Sequence, residues 1–318
     1  MPSFESINYT LRPNKNVERK LILECLQALS SPFDFSKYTY VGLGSMWFVD
    51  FILAHKQLLV NEMISIEDQA AERARFNIPF SVVRVEEGET TKVLPELDLA
   101  GRRIIAWMDY DKGLTSPVLE DTYTICSKVS TGSILLVTLN SNASSLRNQK
   151  DEHGAPLSEE QVLKRFGHDL IPTPLPVEAT QTTGYPIFLA GILFEHIQRA
   201  IRKTGRSESF IPLFNYNYKD NSPMITIGGM IANQQDAEAL NKRLSELRLE
   251  YVTGEEQFVI DVPNLTLKEK LTLDRILPRL LVPTALEVEE LGFPLKQAQI
   301  DSYFKFYRFY PTFAELTI

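Results

Sequence analysis

The stretch Tyr40-Val41-Gly42-Leu43-Gly44-Ser45-Met46-Trp47 decides the fold. An apolar, β-prone run from Tyr38 to Leu43 passes through two glycines into an amphipathic segment near 46–58. That is a strand, a tight turn and a helix. Glycines in such a turn let the backbone approach a ligand, and the helix N-terminus presents free N–H groups to it. A dinucleotide fingerprint would need a third glycine at position 47, where Trp47 stands, so a nicotinamide cofactor is disfavoured. The chain has no Gly-Lys-Ser/Thr, which excludes a phosphate-binding P-loop.

Working outward, the same alternation recurs. Strand-like runs cover Met63 to Ile66, Phe80 to Val85, Ile104 to Met108 and Ile134 to Leu139, with helical patterns near 68–77, 91–97 and 117–129 between them. Several of these strands are continuous apolar runs, the pattern of central parallel strands covered on both faces. Alternating β and α predicts a parallel sheet with right-handed crossovers. A further helix, over 16–29, precedes the first strand.

Residues 140–184 break the rhythm, with a short helix capped by Ser158 and Gln161 and the run Pro172-Thr173-Pro174-Leu175-Pro176. A connection of this length reads as a lid over a site or a disordered insertion. A long helix follows from Tyr185 to Lys203, then two strands, Phe210 to Tyr216 and Met224 to Ile231, joined by Lys219-Asp220-Asn221-Ser222-Pro223 as a hairpin. The chain therefore divides into residues 1–232, a doubly wound Rossmann-like α/β unit with an insertion at 140–184, and residues 233–318, mostly helical. In the latter, helices are expected over 235–247, 266–277, 284–291 and 296–310, with a small hairpin around Gly254.

Acidic residues close successive strands: Glu67 the second, Glu86-Glu87-Gly88-Glu89 the third, Asp109 and Asp111 the fourth. They collect at the carboxyl edge of the sheet, where doubly wound folds bind ligands. Glu67, 23 residues after Gly44, stands where a carboxylate can accept both hydroxyls of a ribose. On these residues the chain, over roughly 15–232, resembles the class I S-adenosylmethionine-dependent methyltransferase superfamily. The resemblance implies S-adenosylmethionine as cofactor. It makes Gly42 and Gly44 the nucleotide-loop glycines, Glu67 the ribose acid, and Glu89 the acid facing the adenine amino group. Asp109 then lies beside the transferred methyl group as the candidate catalytic residue. The chain departs from that pattern at Met46, where a third loop glycine is usual, and at Tyr40, where an acid often precedes the loop. Met108-Asp109-Tyr110-Asp111-Lys112 is also similar to the Asp-Ala-Asp-Lys element of cation-dependent O-methyltransferases. The end of the fifth strand reads Asn140-Ser141-Asn142, without the expected Asp-Asn pair, so no metal is assigned. Asn77-Ile78-Pro79-Phe80 is similar to an amino-methyltransferase motif but precedes the third strand, which makes it a structural turn.

Arg12 to Lys20 is the densest basic cluster, with Lys15 and Arg19 one helical turn apart. It reads as a solvated helix start; gripping a phosphate or a carboxylate is the functional alternative. In the tail, Asp301, Lys305 and Arg308 share one helical stripe, while Tyr303, Tyr307 and Tyr310, and Phe306, Phe309 and Phe313, form two aromatic faces. That is a docked helix rather than a base-stacking surface. The four histidines make no metal-spaced pair; His153 and His168, in the long connection, are candidate general bases. Cys25 and Cys126 sit in helical patterns as buried thiols.

Composition frames the function. The chain has 318 residues, 44% of them hydrophobic and 23% charged, with net charge −8. This suits a folded cytoplasmic protein and argues against a broad nucleic-acid face. No apolar run approaches the ~20 residues of a membrane span. The leading expectation is a methyltransferase acting on an oxygen or nitrogen of an unidentified acceptor. The alternative is a non-catalytic Rossmann-like component of a larger assembly, binding an adenosine-type ligand or a protein partner through the aromatic C-terminal region. A nucleic-acid modifier ranks third.

Overall fold

The structure is a computed structural model that describes residues 12–312 except Ser45, Asn148, Glu152 and His168. Its elements in chain order are α1 (Pro13–Ala28), β1 (Thr39–Leu43), α2 (Val49–Leu58), β2 (Glu62–Glu67), α3 (Ala71–Phe76), β3 (Val83–Glu87), α4 (Thr90–Glu96), β4 (Ile104–Asp109), α5 (Ser116–Lys128) and β5 (Ser133–Asn140). Then come α6 (Glu159–Gly167), α7 (Tyr185–Lys203), β6 (Ser209–Lys219), β7 (Pro223–Ala232), α8 (Gln234–Leu247), β8 (Phe258–Ile260), α9 (Leu267–Asp274), α10 (Ala285–Glu289) and α11 (Gln297–Phe306).

One eight-stranded sheet runs β3-β2-β1-β4-β5-β7-β6-β8. The first five strands in that order are parallel, and β7 is antiparallel to both β5 and β6. This is the doubly wound, mostly parallel Rossmann-like sheet with a late antiparallel hairpin that the sequence predicts. The chain leaves β1 in one direction to β2 and β3 and returns to β4 and β5 on the other side. The switch point, where such folds bind ligands, lies beyond the carboxyl ends of β1 and β4.

Alternation within each strand fills two cores. In β4, Ile104, Ala106 and Met108 face α4, α5 and α7, while Ile105 and Trp107 face α1 and α2. Both faces are covered, which is why the strands read as continuous apolar runs. On the second face α1 buries Val17, Leu21, Ile22, Cys25 and Leu26, each worth about 1.5–3 kcal/mol against exposure. It begins at Pro13, three residues before the expected start, because Asp220 in the β6–β7 turn accepts the amides of Asn14 and Lys15 at 3.0 Å each. A carboxylate there satisfies orphan amides and complements the helix dipole.

The C-terminal region joins the second core. No hairpin forms around Gly254; β8 pairs parallel with β6 instead, Tyr216 opposite Phe258. Phe258, Leu273, Val288, Ile300, Tyr303, Phe306 and Tyr310 pack into the cluster that holds α1 and β6. The stripe of Asp301, Lys305 and Arg308 is exposed, as helical spacing requires. Phe313 lies outside the described residues.

The 140–184 connection is docked. Leu146, Val162, Leu163 and Ile171 are buried in the first core, packed with α5 and α7, and Ala179 is buried as well. The Ser158–Gln161 capping box is present, Ser158 N donating at 2.9 Å and Gln161 N at 3.2 Å. Among the described residues no helix is long and apolar enough to cross a membrane.

Candidate functional site

Beyond β1 the chain stays against β2 for one more residue. Gly44 N donates to Ile66 O at 2.9 Å. A Cβ on Gly44 would lie 2.2 Å from Ser65 Oγ and 3.2 Å from Glu67 Oε2, so only glycine fits. Ser65 is fully buried and its hydroxyl has no hydrogen-bond partner. Gly42 makes room of another kind: a Cβ there would meet the Tyr40 ring at 2.9 Å and Phe51 at 3.2 Å. Its role is to let the edge-to-face Tyr40–Phe51 pair close beneath α2.

The expected helix over 46–58 begins later, at Val49. Phe48 adopts a left-handed conformation (φ 47°) and is buried, stacked edge-on against Phe51. Burying that ring sets the local backbone, and the glycine turn is correspondingly longer.

Glu67 ends β2 beside Gly44 and is a buried residue. Burial pushes its pKa up, and the amides of Gln69 and Ala70 pull it back; Gln69 N donates to Oε1 at 3.3 Å. The carboxylate retains capacity for further donors. Gly88 N donates to Glu67 O at 3.0 Å, tying the β3–α4 turn to the same edge. Glu89 occupies the N-cap of α4, but its side chain is exposed and bends back to Lys92, 2.7 Å away. Hydrogen bonding to Lys92 holds its carboxyl below the usual range.

Behind Glu89 lies a polar cluster that sequence reasoning missed. Asp121 on α5 accepts Tyr110 Oη at 2.7 Å and the Thr90 hydroxyl, joining α4, the end of β4 and α5. Burial raises the pKa of Asp121, whose Oδ1 is buried without a partner. The signal was present: a carboxylate among the buried positions Val118, Leu119, Thr122 and Ile125 of one helix.

Asp109 ends β4, one strand beyond β1, and is 18% exposed. Its Oδ2 lies 3.1 Å from Lys15 Nζ. Lys15 is 2% exposed, which overturns the solvated reading of the basic helix start. It also donates to Tyr218 Oη at 3.1 Å, sits 3.3 Å from Glu18 Oε2, and lies 5.3 Å from the Trp107 ring centroid. Burial alone would drive the ammonium towards neutrality; Asp109 and Glu18 together outweigh it and hold Lys15 protonated. Burial pushes the Glu18 carboxyl up to about 7, against the pull of Lys15. Arg19, equally buried, pairs with Asp50 in the first turn of α2. Lys15 and Arg19 are thus internal counter-charges at the ligand edge. His153 lies in an exposed turn capped by Asp151, and His168 lies outside the described residues.

A family model described as "Putative O-methyltransferase" matches residues 7–318, nearly the whole chain. The chain belongs to that family. The chain's family and its doubly wound sheet accord with the class I S-adenosylmethionine-dependent methyltransferase superfamily that the sequence resembles. No curated protein matches it. Solved structures similar to this O-methyltransferase family member include Trm1 from Pyrococcus horikoshii with S-adenosyl-L-methionine, at 15% identity and TM-score 0.46, covering 71% of this chain and 58% of that one. Another is the S-adenosylmethionine-dependent methyltransferase SibL, at 13% identity and TM-score 0.34, with 66% and 55% covered. Human N-acetylserotonin methyltransferase with its cofactor stands at 14%, 0.33, 69% and 57%. The chain spans a little over half the length of these structures, and the assignment rests on the family model.

The residues present fit S-adenosylmethionine. Gly44 leaves a cradle against β2, and the buried Ser65 hydroxyl and Glu67 carboxylate beside it have hydrogen-bonding capacity left over. The cofactor supplies an electrophilic methyl group.

Proposed function

We propose that this protein transfers the methyl group of S-adenosylmethionine to an oxygen or nitrogen of an acceptor held at the carboxyl ends of β1 and β4, with Asp109 as the catalytic group. The observation that carries this reading is the placement of two carboxylates on either side of β1. Glu67 is buried against the glycine cradle on β2. Asp109 on β4 is partly open, with one oxygen held by a buried ammonium.

The division of labour follows. The cradle and Glu67 bind and orient the donor, and orientation is the main contribution a protein makes to such a transfer. Asp109 accepts a hydrogen bond from the acceptor and takes the proton that a hydroxyl must lose as its oxygen is methylated. Lys15, closed off from water, fixes the Asp109 carboxylate in one orientation. An oxygen acceptor accords with the family description.

The test is methyl-labelled S-adenosylmethionine incubated with the protein and fractionated cell extract. Label should pass to one fraction, and Asp109→Asn should lower that transfer at least ~10²-fold while donor binding persists. Donor binding without transfer to any fraction would sink the catalytic reading in favour of a ligand-binding component.

A further inference from the structure

Lys15 and Glu18 lie three residues apart on α1 and so project together beneath the sheet. The three N–H donors of the Lys15 ammonium are directed at Asp109, Glu18 and Tyr218. Glu18 is fully buried. Its Oε1 accepts from Thr226 Oγ1 at 2.6 Å; that hydroxyl is 2.8 Å from Thr138 Oγ1, which accepts Trp107 Nε1 at 3.2 Å. Its Oε2 has no hydrogen bond, only the Lys15 charge at 3.3 Å. An ionised carboxylate needs donors on both oxygens to offset burial, and Glu18 has them on one.

The charges around it can be counted. The groups facing Glu18 are Lys15 and Arg19 from α1, Tyr40 from β1, Asp109 from β4 and Tyr216 and Tyr218 from β6, with Asp50 of α2 behind Arg19. The tyrosines are neutral, burial raising their pKa values. Two cations then face Asp50 and Asp109, and the buried set is neutral when Glu18 carries a proton. A cation arriving at the open edge of Asp109 would leave the set positive unless Glu18 ionised.

We propose that Glu18 is the proton-exchanging group of this site: a cation settling beside Asp109 is matched by loss of the Glu18 proton through Lys15. The inference rests on the reading above, in which that cation is the sulfonium of S-adenosylmethionine. The bookkeeping is one proton. The Glu18 O–H breaks as its proton passes to Lys15, while Lys15 gives one of its own to Asp109 and so to water; no electrons change hands. After transfer the sulfonium has become a neutral thioether, and Glu18 regains a proton as the acceptor hydroxyl gives one up.

The experiment is calorimetric titration of the full chain at pH 7 with S-adenosylmethionine and with S-adenosylhomocysteine, each in two buffers of different ionisation enthalpy. Wild type should release on the order of half a proton with the sulfonium and close to none with the thioether, since a group titrating near 7 is about half protonated there. Glu18→Gln should release none with either. A wild-type pH series supplies the same reading should that variant fail to fold: release should peak near neutrality and vanish by pH 9. Equal release with both ligands, or release that persists in folded Glu18→Gln, overturns the inference while leaving the cofactor reading intact. No heat from either ligand would remove the cofactor reading and the inference with it.

Discussion

A Cβ on Gly44 would sit 2.2 Å from the hydroxyl oxygen of Ser65, closer than any two such atoms can approach. Gly44→Ala is therefore expected to destabilise the protein by about 1–3 kcal/mol through overpacking. Ser65→Ala removes a buried hydroxyl that has no partner and should be close to neutral. Combined, the two should cost less than their sum by at least ~0.5 kcal/mol. Urea unfolding of the three variants checks this, and strict additivity would show that the turn relaxes elsewhere.

Lys15 balances two carboxylates that lie far apart in the chain. Lys15→Met leaves Asp109 without its counter-charge and should cost about 3–5 kcal/mol, the usual consequence of breaking a buried ion pair from one side. Adding Asp109→Asn to that variant should recover part of the loss. A Lys15→Met protein within ~1 kcal/mol of wild type would mean that the ammonium is not a structural counter-ion.

The raised pKa of Glu18 fixes the direction of a pH effect. Below its ordinary value of 4.5 the carboxyl is protonated whether folded or unfolded. Between 4.5 and about 7 the unfolded chain ionises while the folded chain holds the proton, so stability falls as pH rises through that window. Glu18→Gln lacks this dependence. Relative to wild type the variant should gain on the order of 2–3 kcal/mol between pH 4.5 and pH 8. Thermal melts of both proteins across that range test the sign; a gap that does not change with pH would contradict it.

The C-terminal region covers the edge of the sheet. Without residues beyond 232, β6 becomes an exposed eleven-residue edge strand, and Phe214, Tyr216 and α1 lose the cover of Phe258, Tyr303 and Phe306. A fragment ending at residue 232 should therefore show no cooperative unfolding transition. A sharp melt from that fragment would establish residues 1–232 as an independent unit.

Much of this architecture was legible in the sequence, for identifiable reasons. Strands buried on both faces read as unbroken apolar runs, and carboxylates cannot end such runs without reaching the edge, so Glu67 and Asp109 could be placed. What escaped depended on distant partners. The start of α1 is set by Asp220, 206 residues away. Lys15 and Arg19 look solvated until Asp109 and Asp50 are seen beside them. The later start of α2 follows from burying Phe48, which no local propensity encodes. The three residues of β8 have no local partner and find one only in β6. The docking of Leu146, Val162, Leu163 and Ile171 in the 140–184 connection was not legible because apolar residues so widely spaced show no period.

The central claim is that the edge formed by Gly44, Ser65 and Glu67 holds the cofactor, and titration of S-adenosylhomocysteine into wild type and Glu67→Ala tests it most directly. Wild type should bind with measurable heat. Glu67→Ala should stay folded and bind about 10–100-fold more weakly, the loss of one charge-assisted interaction with the ribose. Equal affinity in the two folded proteins, or no binding by wild type at millimolar ligand, would contradict the account.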